Sequence, residues 1–303
     1  MNNKPLVSIV MNCYNGQAYL KEALNSIVNQ TYQNWELIFW DNQSTDKSRE
    51  IFEDFDDKRF KYFLSEEHTV LYQARNLAIR KTSGEFLAFL DTDDIWVNDK
   101  LEKQIFLFEK DSDIGLVYGN CWIHTEKNII KNKKIFSKKL LPRGNITKAL
   151  IEDYKVGLLT IMIKKSYLDN FDNVFSVKYD LLSDFDFVIK FSLKAKIDCI
   201  QEPIAIYRRH KNQLQRIYFH KQIEQLEKWY SNIKNFPELK SYNIMPTLEK
   251  RIEYLKILKL INEKKYLKSF LSILNFPMSL TKVKLIVILL LPNFVIKNFI
   301  DII

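Results

Sequence analysis

The sequence predicts an α/β domain with a mostly parallel sheet covered by helices on both faces, followed by a region of helices alone. Two observations predict this architecture. Short apolar runs alternate with amphipathic helical patterns over the first 118 residues, and strand-like segments disappear after about residue 215. Alternation in this order is typical of parallel sheets, because each crossover helix packs on a face of the sheet. With 303 residues, 47% of them apolar, the chain is long enough to bury a full core.

Strands and helices alternate from the amino terminus. The predicted strands are the apolar runs at 6–11, 35–40, 60–64, 85–90 and 115–118. The predicted helices carry apolar residues three or four positions apart and lie at 19–29, 51–55, 70–81 and 98–110. Ser44 and Asp46 are typical N-cap residues ahead of the second helix.

The second half of the predicted domain is less regular. Residues 125–144 are rich in lysine and indicate an inserted loop or hairpin. A strand at 160–163, a helix at 183–195 and extended pieces at 197–199 and 203–207 follow it. We therefore predict a first domain at 1–214 and a helical region at 215–303.

The positive charge of the chain lies in its last third. The net charge is +9; residues 201–303 hold 18 Lys and Arg against 8 Asp and Glu, which is +10, so the first 200 residues carry −1. A basic segment suits nucleic acid, an anionic membrane surface or a phosphorylated substrate. The excess lies among apolar helices, which makes nucleic acid the weakest of the three and leads us to expect none.

The extreme carboxyl terminus permits two interpretations. Residues 285–291 are wholly apolar and 294–303 mostly so, with Pro292 between them, which is short of the roughly 20 residues of a spanning helix. With Lys282, Lys284 and Lys297 nearby, the segment predicts either an interfacial anchor or a core helix. Cys13, Cys121 and Cys199 have no CxxC spacing, and no signal peptide precedes the first strand, so we expect a cytoplasmic protein.

Polar residues follow three of the predicted strands, at 12–16, 41–46 and 91–94. The carboxyl ends of parallel strands lie at one edge, so these segments should converge on one crevice. Asp91, Asp93 and Asp94 come directly after a buried strand. Three close carboxylates repel one another, and a divalent ion bound through carboxylates and substrate phosphates offsets that cost. The alternative is a polar turn in which Asp93 or Asp94 caps the next helix.

The order of these motifs resembles that of the family 2 glycosyltransferases. The matching residues are Pro5, Val7, Ser8 and Ile9, then Tyr14 and Asn15, Gln30, Thr31, Tyr32 and Glu36, Asp41, Ser44 and Asp46, Ala74, Arg75 and Asn76, Gly84 to Phe86, Phe89 to Asp94, Asp184 to Lys190, and Tyr207 to His210. The resemblance runs from about residue 5 to residue 212.

The resemblance implies a GT-A fold with a donor half at about 1–118 and an acceptor half at about 119–214. It implies a nucleotide-sugar donor, with UDP the expected nucleotide, a Mn²⁺ or Mg²⁺ ion, and inversion at the anomeric carbon. Donor binding falls to Tyr14, Asp41, Arg75, Asp91 and Arg208. The implied metal ligands are Asp93, Asp91 and His210. Asp184 is the implied general base. The alternative for Asp184 is a carboxylate that stabilises the N-terminus of a helix, and the alternative for His210 is a surface or capping histidine.

The sequence departs from the family pattern at three places. Asn12 and Cys13 replace Pro-Thr, Asn42 replaces an aspartate, and Ser183 replaces the glutamate before the base. The loss of that glutamate removes a repulsive charge beside Asp184, which tends to lower its pKa.

These features predict a hexosyltransferase-like enzyme of bacterial surface polysaccharide or lipid-linked glycan assembly. No Q-x-x-R-W segment is present, so we expect one sugar per encounter rather than processive synthesis. The expected acceptor is a glycan or a lipid-linked sugar, at the inner face of the cytoplasmic membrane. A silent nucleotide-sugar-binding relative and a sugar nucleotidyltransferase are the alternatives, although the latter would normally need more glycines after the first strand.

Overall fold

A computed structural model of the protein describes residues 4–125, 134–169, 171–210, 219–233 and 236–291. The chain divides into two compact units, Met1–His210 and Lys211–Ile303. The division predicted from the sequence, between residues 214 and 215, lies in the segment 211–218, outside the described residues.

The first half of unit one is a four-stranded parallel sheet. Its strands are β1 (Val7–Cys13), β2 (Trp35–Asp41), β3 (Phe60–Leu64) and β4 (Phe86–Phe89), in the spatial order β3-β2-β1-β4. The crossover helices are α1 (Leu20–Val28), α2 (Ser48–Glu53) and α3 (Leu71–Ile79). Every residue of β1 and β2 is buried, as expected for central strands covered on both faces.

The second half of unit one extends the same sheet with mixed pairing. Its elements in chain order are β5 (Ile95–Trp96), α4 (Lys100–Lys110), β6 (Ile114–Thr125), β7 (Lys134–Ile135), α5 (Thr147–Glu152), β8 (Met162–Lys164), α6 (Ser183–Ser192) and β9 (Lys196–Arg209). The sheet continues from β4 through β8, β6 and β9 to β5. β8 is antiparallel to both of its neighbours, whereas β6 and β9 run parallel over their whole length.

Unit two is helical in its described part. Its helices are α7 (Phe219–Ile233), α8 (Pro237–Lys240), α9 (Met245–Asn262), α10 (Tyr266–Asn275) and α11 (Leu280–Leu290). A separate core joins the last three helices, with Ile257, Leu258 and Ile261 packed against Ile273, Phe276, Leu285 and Ile288. Among the residues described, no helix is long and apolar enough to cross a membrane. Of the carboxyl-terminal segment singled out from the sequence, residues 292–303 lie outside the described part.

Candidate active site

The loops after β1 and β2 are tied together by hydrogen bonds. The backbone N–H of Asn15 donates to Ser44 Oγ at 3.0 Å, and that of Gly16 donates to Ser48 Oγ at 2.9 Å. In return the backbone N–H of Thr45 donates to Asn15 Oδ1 at 2.8 Å. The polar segments 12–16 and 41–46, two of the three that were predicted to converge, therefore lie together at one edge of the sheet.

Asp41, at the end of β2, is buried and already accepts two hydrogen bonds. Its Oδ1 accepts from the backbone N–H of Ser44 at 2.7 Å, and its Oδ2 accepts from the Tyr62 hydroxyl at 2.6 Å. A carboxylate oxygen has a further lone pair, so the group can still accept from a ligand N–H. The contact with Tyr62 was not foreseen from the sequence.

Tyr14 lies at this edge of the sheet, and more than half of its side chain is exposed. Its ring lies 4.3 Å from the ring of His68, centroid to centroid, at an interplanar angle of 52°. The Nδ1 of His68 lies 2.9 Å from the backbone carbonyl of Asn42. The same nitrogen lies 3.3 Å from Asn42 Nδ2, so both of these polar contacts of the ring are with Asn42. Tyr14 and His68 together present an exposed aromatic surface. His68 was not singled out from the sequence.

The departure at Asn42 has a structural explanation. Its Nδ2 donates to the carbonyl oxygen of Thr69 at 2.7 Å, and its Oδ1 accepts from the backbone N–H of Thr69 at 3.2 Å. An ionised aspartate could not donate the first of these bonds. The amide therefore holds the segment that carries His68.

Arg75, predicted as a donor-binding residue, is buried on α3 and forms an ion pair with Asp91. Its guanidinium carbon also lies 5.1 Å from the ring centroid of Tyr72. Asp91 is the exposed partner, with 38% of its side chain accessible. The arginine thus fixes the first carboxylate after β4 while leaving that carboxylate open on one side.

His210 and Arg208, on or next to the end of β9, hold the same loop from the other side. His210 Nε2 lies 2.8 Å from Asp93 Oδ2. The backbone N–H of Arg208 donates to Asp94 Oδ1 at 2.9 Å, and its Nε donates to the carbonyl oxygen of Asp93 at 3.0 Å. The guanidinium is paired as well with Glu22. In this arrangement Arg208 positions the carboxylate loop, and its role as a phosphate clamp stays a prediction.

The three aspartates are electrostatically crowded. Burial, followed by the charge of Asp91, raises the pKa of Asp93, and His210 partly offsets this. Burial and the charges of Asp93 and Asp91 raise the pKa of Asp94 well above its usual value. Helix α4 begins at Lys100 after the N-cap residue Asp99, so neither Asp93 nor Asp94 caps it. The segment is still a turn, in which the backbone N–H of Asp94 donates to the carbonyl oxygen of Asp91 at 3.2 Å, but its capping of the next helix was predicted wrongly.

A divalent ion fits this loop only with help from a ligand. In the described part of the chain, no group of three or more His, Cys, Asp or Glu side chains is arranged to hold a metal by itself. Asp93 and His210 nonetheless supply an oxygen and a nitrogen donor 2.8 Å apart, with Asp91 two residues away. Mg²⁺ is usually bound through one or two carboxylates together with substrate phosphates. The residues present fit an ion that shares its ligands with a diphosphate.

Asp184 lies in the first turn of α6, facing α3. The hydroxyl of Tyr72 donates to Asp184 Oδ1 at 3.0 Å. Burial raises the pKa of Asp184, partly offset by the backbone N–H of Phe185, the charge of Arg75 and the Tyr72 hydrogen bond. The lowering expected from the serine at position 183 stays a prediction. Tyr72, which bridges Asp184 and the Arg75–Asp91 pair, was not singled out from the sequence.

Two buried polar groups at the same edge have no hydrogen-bond partner among the described residues. One is the side-chain amide of Asn12, of which neither Oδ1 nor Nδ2 is bonded, and the other is the indole Nε1 of Trp40. The two residues are register partners in β1 and β2, one position before Cys13 and Asp41. A buried polar group without a partner costs about 1–3 kcal/mol. The departure at Asn12 thus places unused hydrogen-bonding capacity near the end of β1, two residues before the exposed Tyr14.

Residues 8–171 match the model of the family described as Glycosyl transferase family 2. The chain belongs to glycosyl transferase family 2. The matched segment includes Tyr14, Asp41, Arg75, Asp91 and Asp93 but ends before Asp184, Arg208 and His210. The family match therefore covers five of the eight predicted site residues and leaves out the other three.

A relative in this family is the UDP-Glc:alpha-D-GlcNAc-diphosphoundecaprenol beta-1,3-glucosyltransferase WfgD of Escherichia coli. It is 37% identical over 175 residues, which are 58% of this chain and 66% of that protein. The matched stretch is thus just under two thirds of the relative's own length.

Two solved structures resemble the chain at low identity. One is S. aureus TarS 1-349 in complex with UDP-GlcNAc, with a TM-score of 0.64, 18% identity, and coverage of 81% of this chain and 72% of that one. The other is the mannosyltransferase PcManGT from Pyrobaculum calidifontis in complex with GDP-Man and Mn²⁺, with a TM-score of 0.66, 15% identity, and coverage of 99% and 86%. These likenesses show the fold and confirm the predicted GT-A class for this member of family 2.

Proposed function

We propose that the protein is an inverting, metal-dependent glycosyltransferase that moves one sugar from a UDP-sugar to a hydroxyl of a lipid-linked glycan. The observation that carries the proposal is the chain of contacts from Asp184 through Tyr72 and Arg75 to Asp91. It connects a carboxylate suited to proton abstraction with the carboxylates suited to a diphosphate. Family 2 membership and the sugar-nucleotide complexes of the structural neighbours support it.

The donor nucleotide would bind at the edge formed by β1 and β2. The exposed ring of Tyr14 can stack on a base, and the buried carboxylate of Asp41 can accept from a base N–H. UDP is our choice of nucleotide because WfgD and the TarS complex are named with UDP-sugars. PcManGT is named with GDP-Man, so GDP-sugars are compared with UDP-sugars in the test.

Asp93 and His210 would hold the divalent ion, with Asp91 beside them. When bound, the ion would supply positive charge to the departing diphosphate. Asp93 would contribute a carboxylate oxygen, and His210 would use Nε2 once that nitrogen leaves its hydrogen bond with Asp93. Arg208 and Glu22 would keep the loop in place from behind.

Asp184 would remove the proton from the acceptor hydroxyl. That oxygen would form a bond to the anomeric carbon from one face while the bond to the diphosphate breaks on the other, which inverts the configuration. No protein nucleophile is needed in a single displacement. Burial raises the pKa of Asp184, which makes its carboxylate a stronger base than that of an ordinary aspartate.

The acceptor would be a sugar linked to a membrane lipid through a diphosphate. WfgD is named for an acceptor of that class. Such an acceptor requires the enzyme to work at a membrane surface, and the basic helical unit is suited to that location.

The test is release of nucleoside diphosphate from UDP-, GDP- and dTDP-sugars with Mn²⁺, with Mg²⁺ and with a chelator. We expect one donor to be hydrolysed slowly, the chelator to stop the reaction, and Asp184→Asn to reduce acceptor-dependent turnover by about 10²–10⁴-fold. Asp186→Asn, in the same helix and paired with Lys190, is the matched control. Tight donor binding without turnover in any acceptor extract would instead favour a silent relative, and pyrophosphate release from a nucleoside triphosphate would favour a nucleotidyltransferase.

A further inference from the structure

Most of the large apolar side chains of helix α10 face away from the core of unit two. Its outward residues Leu267, Phe270, Leu271 and Leu274 follow the i, i+3, i+4, i+7 spacing of one helical face, and each is between 48% and 75% exposed. The opposite face buries Ser269 and Ile273 against the core of unit two. The helix therefore presents a continuous apolar stripe to its surroundings.

Helix α11 repeats this arrangement. Leu285 and Ile288 are buried in the core of unit two. Its outward apolar residues are Leu280, Val283, Ile286, Val287 and Leu290, and Met278 in the preceding turn is exposed as well. We call the ten outward residues of α10, the turn and α11 the apolar hairpin surface; Met278 and Leu280, at its tip, are 84% and 89% exposed. Large contiguous apolar patches of this kind mark protein or membrane interaction sites.

The charges along the segment of the apolar hairpin surface are mostly positive. Residues 264–291 contain five lysines, at positions 264, 265, 268, 282 and 284, and no Asp or Glu. Lys265 pairs with the preceding Glu263 at 2.6 Å, and the other four leave a net positive charge. Lys282 Nζ donates to the carbonyl oxygen of Leu274 at 2.7 Å, and Lys284 lies 5.7 Å from the ring centroid of Tyr254. Lysine stems can lie along apolar surface while their ammonium groups reach a polar layer.

We propose that the apolar hairpin surface docks on an anionic phospholipid bilayer, with the two helices lying in the interface. Each helix has only 10 or 11 residues, so the pair can enter the headgroup boundary but cannot span the bilayer. Apolar residues on one face with an excess of lysines beside them are the features of an interfacial helix. Protein interfaces, in contrast, are depleted in lysine, which argues against a protein partner or a second copy.

The proposal moves the contact away from the extreme carboxyl terminus. The sequence directed attention to residues 285–303, but α10 and the turn supply five of the ten residues of the apolar hairpin surface. It rests on the geometry of residues 266–290 and holds whatever sugar the protein transfers.

The experiment is flotation of the full chain with vesicles of phosphatidylglycerol and phosphatidylethanolamine, and with phosphatidylcholine alone. The native protein should float with the anionic vesicles and much less with the neutral ones. The double variant Leu271→Gln, Leu274→Gln should lower the vesicle partition coefficient at least about tenfold, since each leucine loses most of its transfer energy. Lys268→Glu with Lys284→Glu should remove the preference for anionic vesicles.

Leu140→Gln is the matched control, because Leu140 is 84% exposed in unit one and away from the apolar hairpin surface in sequence. It should float like the native chain. Equal flotation of the native and double-variant proteins, or no flotation of the native protein with anionic vesicles, overturns the proposal. So does a native dimer in sedimentation that the double variant dissociates, since a second copy would then cover the surface. Unchanged donor hydrolysis in the double variant keeps this outcome separate from the proposed transferase activity.

Discussion

At the residue scale, two tyrosines surround the carboxylate of Asp184 in different ways. Tyr72 donates a hydrogen bond to it and lowers its pKa against the effect of burial. The charge of Asp184 is felt by Tyr154 too, because it helps raise the pKa of that phenol after burial. The hydroxyl of Tyr154 nevertheless has no hydrogen-bond partner in the described part of the chain. The hydroxyl of Tyr72 therefore lowers the pKa of Asp184 through a hydrogen bond, whereas that of Tyr154 forms no such bond.

Tyr72→Phe should move the acid limb of the kcat/KM profile to higher pH. Loss of the hydrogen bond removes a contribution that lowers the pKa of Asp184, so the carboxylate becomes protonated at higher pH and activity falls earlier on acidification. Acceptor-dependent turnover measured across pH, with the plateau compared at high pH, tests this. Tyr154→Phe should leave the limb in place. An acid limb that moves equally in both variants, or in neither, would show that Asp184 is not the titrating base.

Asn12→Leu should raise thermal stability and weaken donor binding together. A buried amide without partners costs free energy in the folded protein, so an apolar residue of similar size should stabilise it by about 1 kcal/mol. If the amide serves the donor, the KM for the sugar nucleotide should rise by about tenfold, which corresponds to one lost hydrogen bond. Thermal unfolding and initial rates measure the two effects. A more stable variant with unchanged KM would mean that Asn12 does not touch the donor.

Several candidate site residues were predicted from their positions at strand ends, and two residues that lie beside them in the structure were missed. Asp41, Asp91 and Asp93 directly follow apolar strands, which is where a parallel sheet places ligands. Tyr72 lies three positions before Arg75 and so shares its helix face, a signal that was available. His68 lies in a loop, where neither strand nor helix periodicity applies, and only the fold brings it to Tyr14.

At the element scale, a buried glutamate links the strands of the parallel sheet. Glu36 on β2 accepts from the Ser8 hydroxyl on β1 at 2.5 Å and from the backbone N–H and hydroxyl of Ser83 before β4. Lys61 on β3 pairs with its other oxygen. Burial raises the pKa of Glu36, but these four hydrogen bonds outweigh it and hold the pKa at about 2.

Acid should therefore weaken the parallel sheet through Glu36. A folded-state pKa of about 2, against 4.5 in the unfolded chain, means that the contribution is complete above pH 4.5 and is lost as pH falls toward 2. Glu36→Gln should lower the free energy of unfolding by about 2 kcal/mol at pH 7, and the difference from the native protein should shrink on acidification. Urea unfolding at several pH values measures it. The exposed Glu85→Gln is the control, and a pH-independent difference would contradict the assignment.

Element boundaries followed the sequence where the apolar pattern is unbroken and failed where it is interrupted. The first four strands and α1, α3 and α4 lie within a few residues of their predicted positions. β9 is one strand of 14 residues, although Gln201, Glu202 and Pro203 interrupt its apolar pattern and predicted two pieces. Its pairing with β6 absorbs the interruption by a register shift at Gly119 and Asn120, and nothing local to β9 records that partner.

At the scale of the whole molecule, each of the two units has a core of its own in the described part of the chain. The larger joins residues from Val7 to Ala205, and the smaller joins residues from Ile257 to Ile288. All residues proposed for donor binding, metal binding and proton transfer belong to the unit Met1–His210. The excess positive charge and the apolar hairpin surface belong to the other unit. The division of cores thus coincides with a division between proposed chemistry and proposed docking.

Residues 1–218 should accordingly fold and hydrolyse the donor without the helical unit. The larger core is complete within this segment, and a terminus at residue 218 keeps the chain's new carboxylate away from His210. We expect donor hydrolysis within about threefold of that of the full chain and loss of vesicle flotation, since chemistry and docking draw on different residues. Thermal unfolding, donor hydrolysis and flotation of both proteins test this together. A folded fragment that no longer binds donor would place part of the donor site in the helical unit, and a folded fragment that still floats would place the lipid contact in the sheet unit.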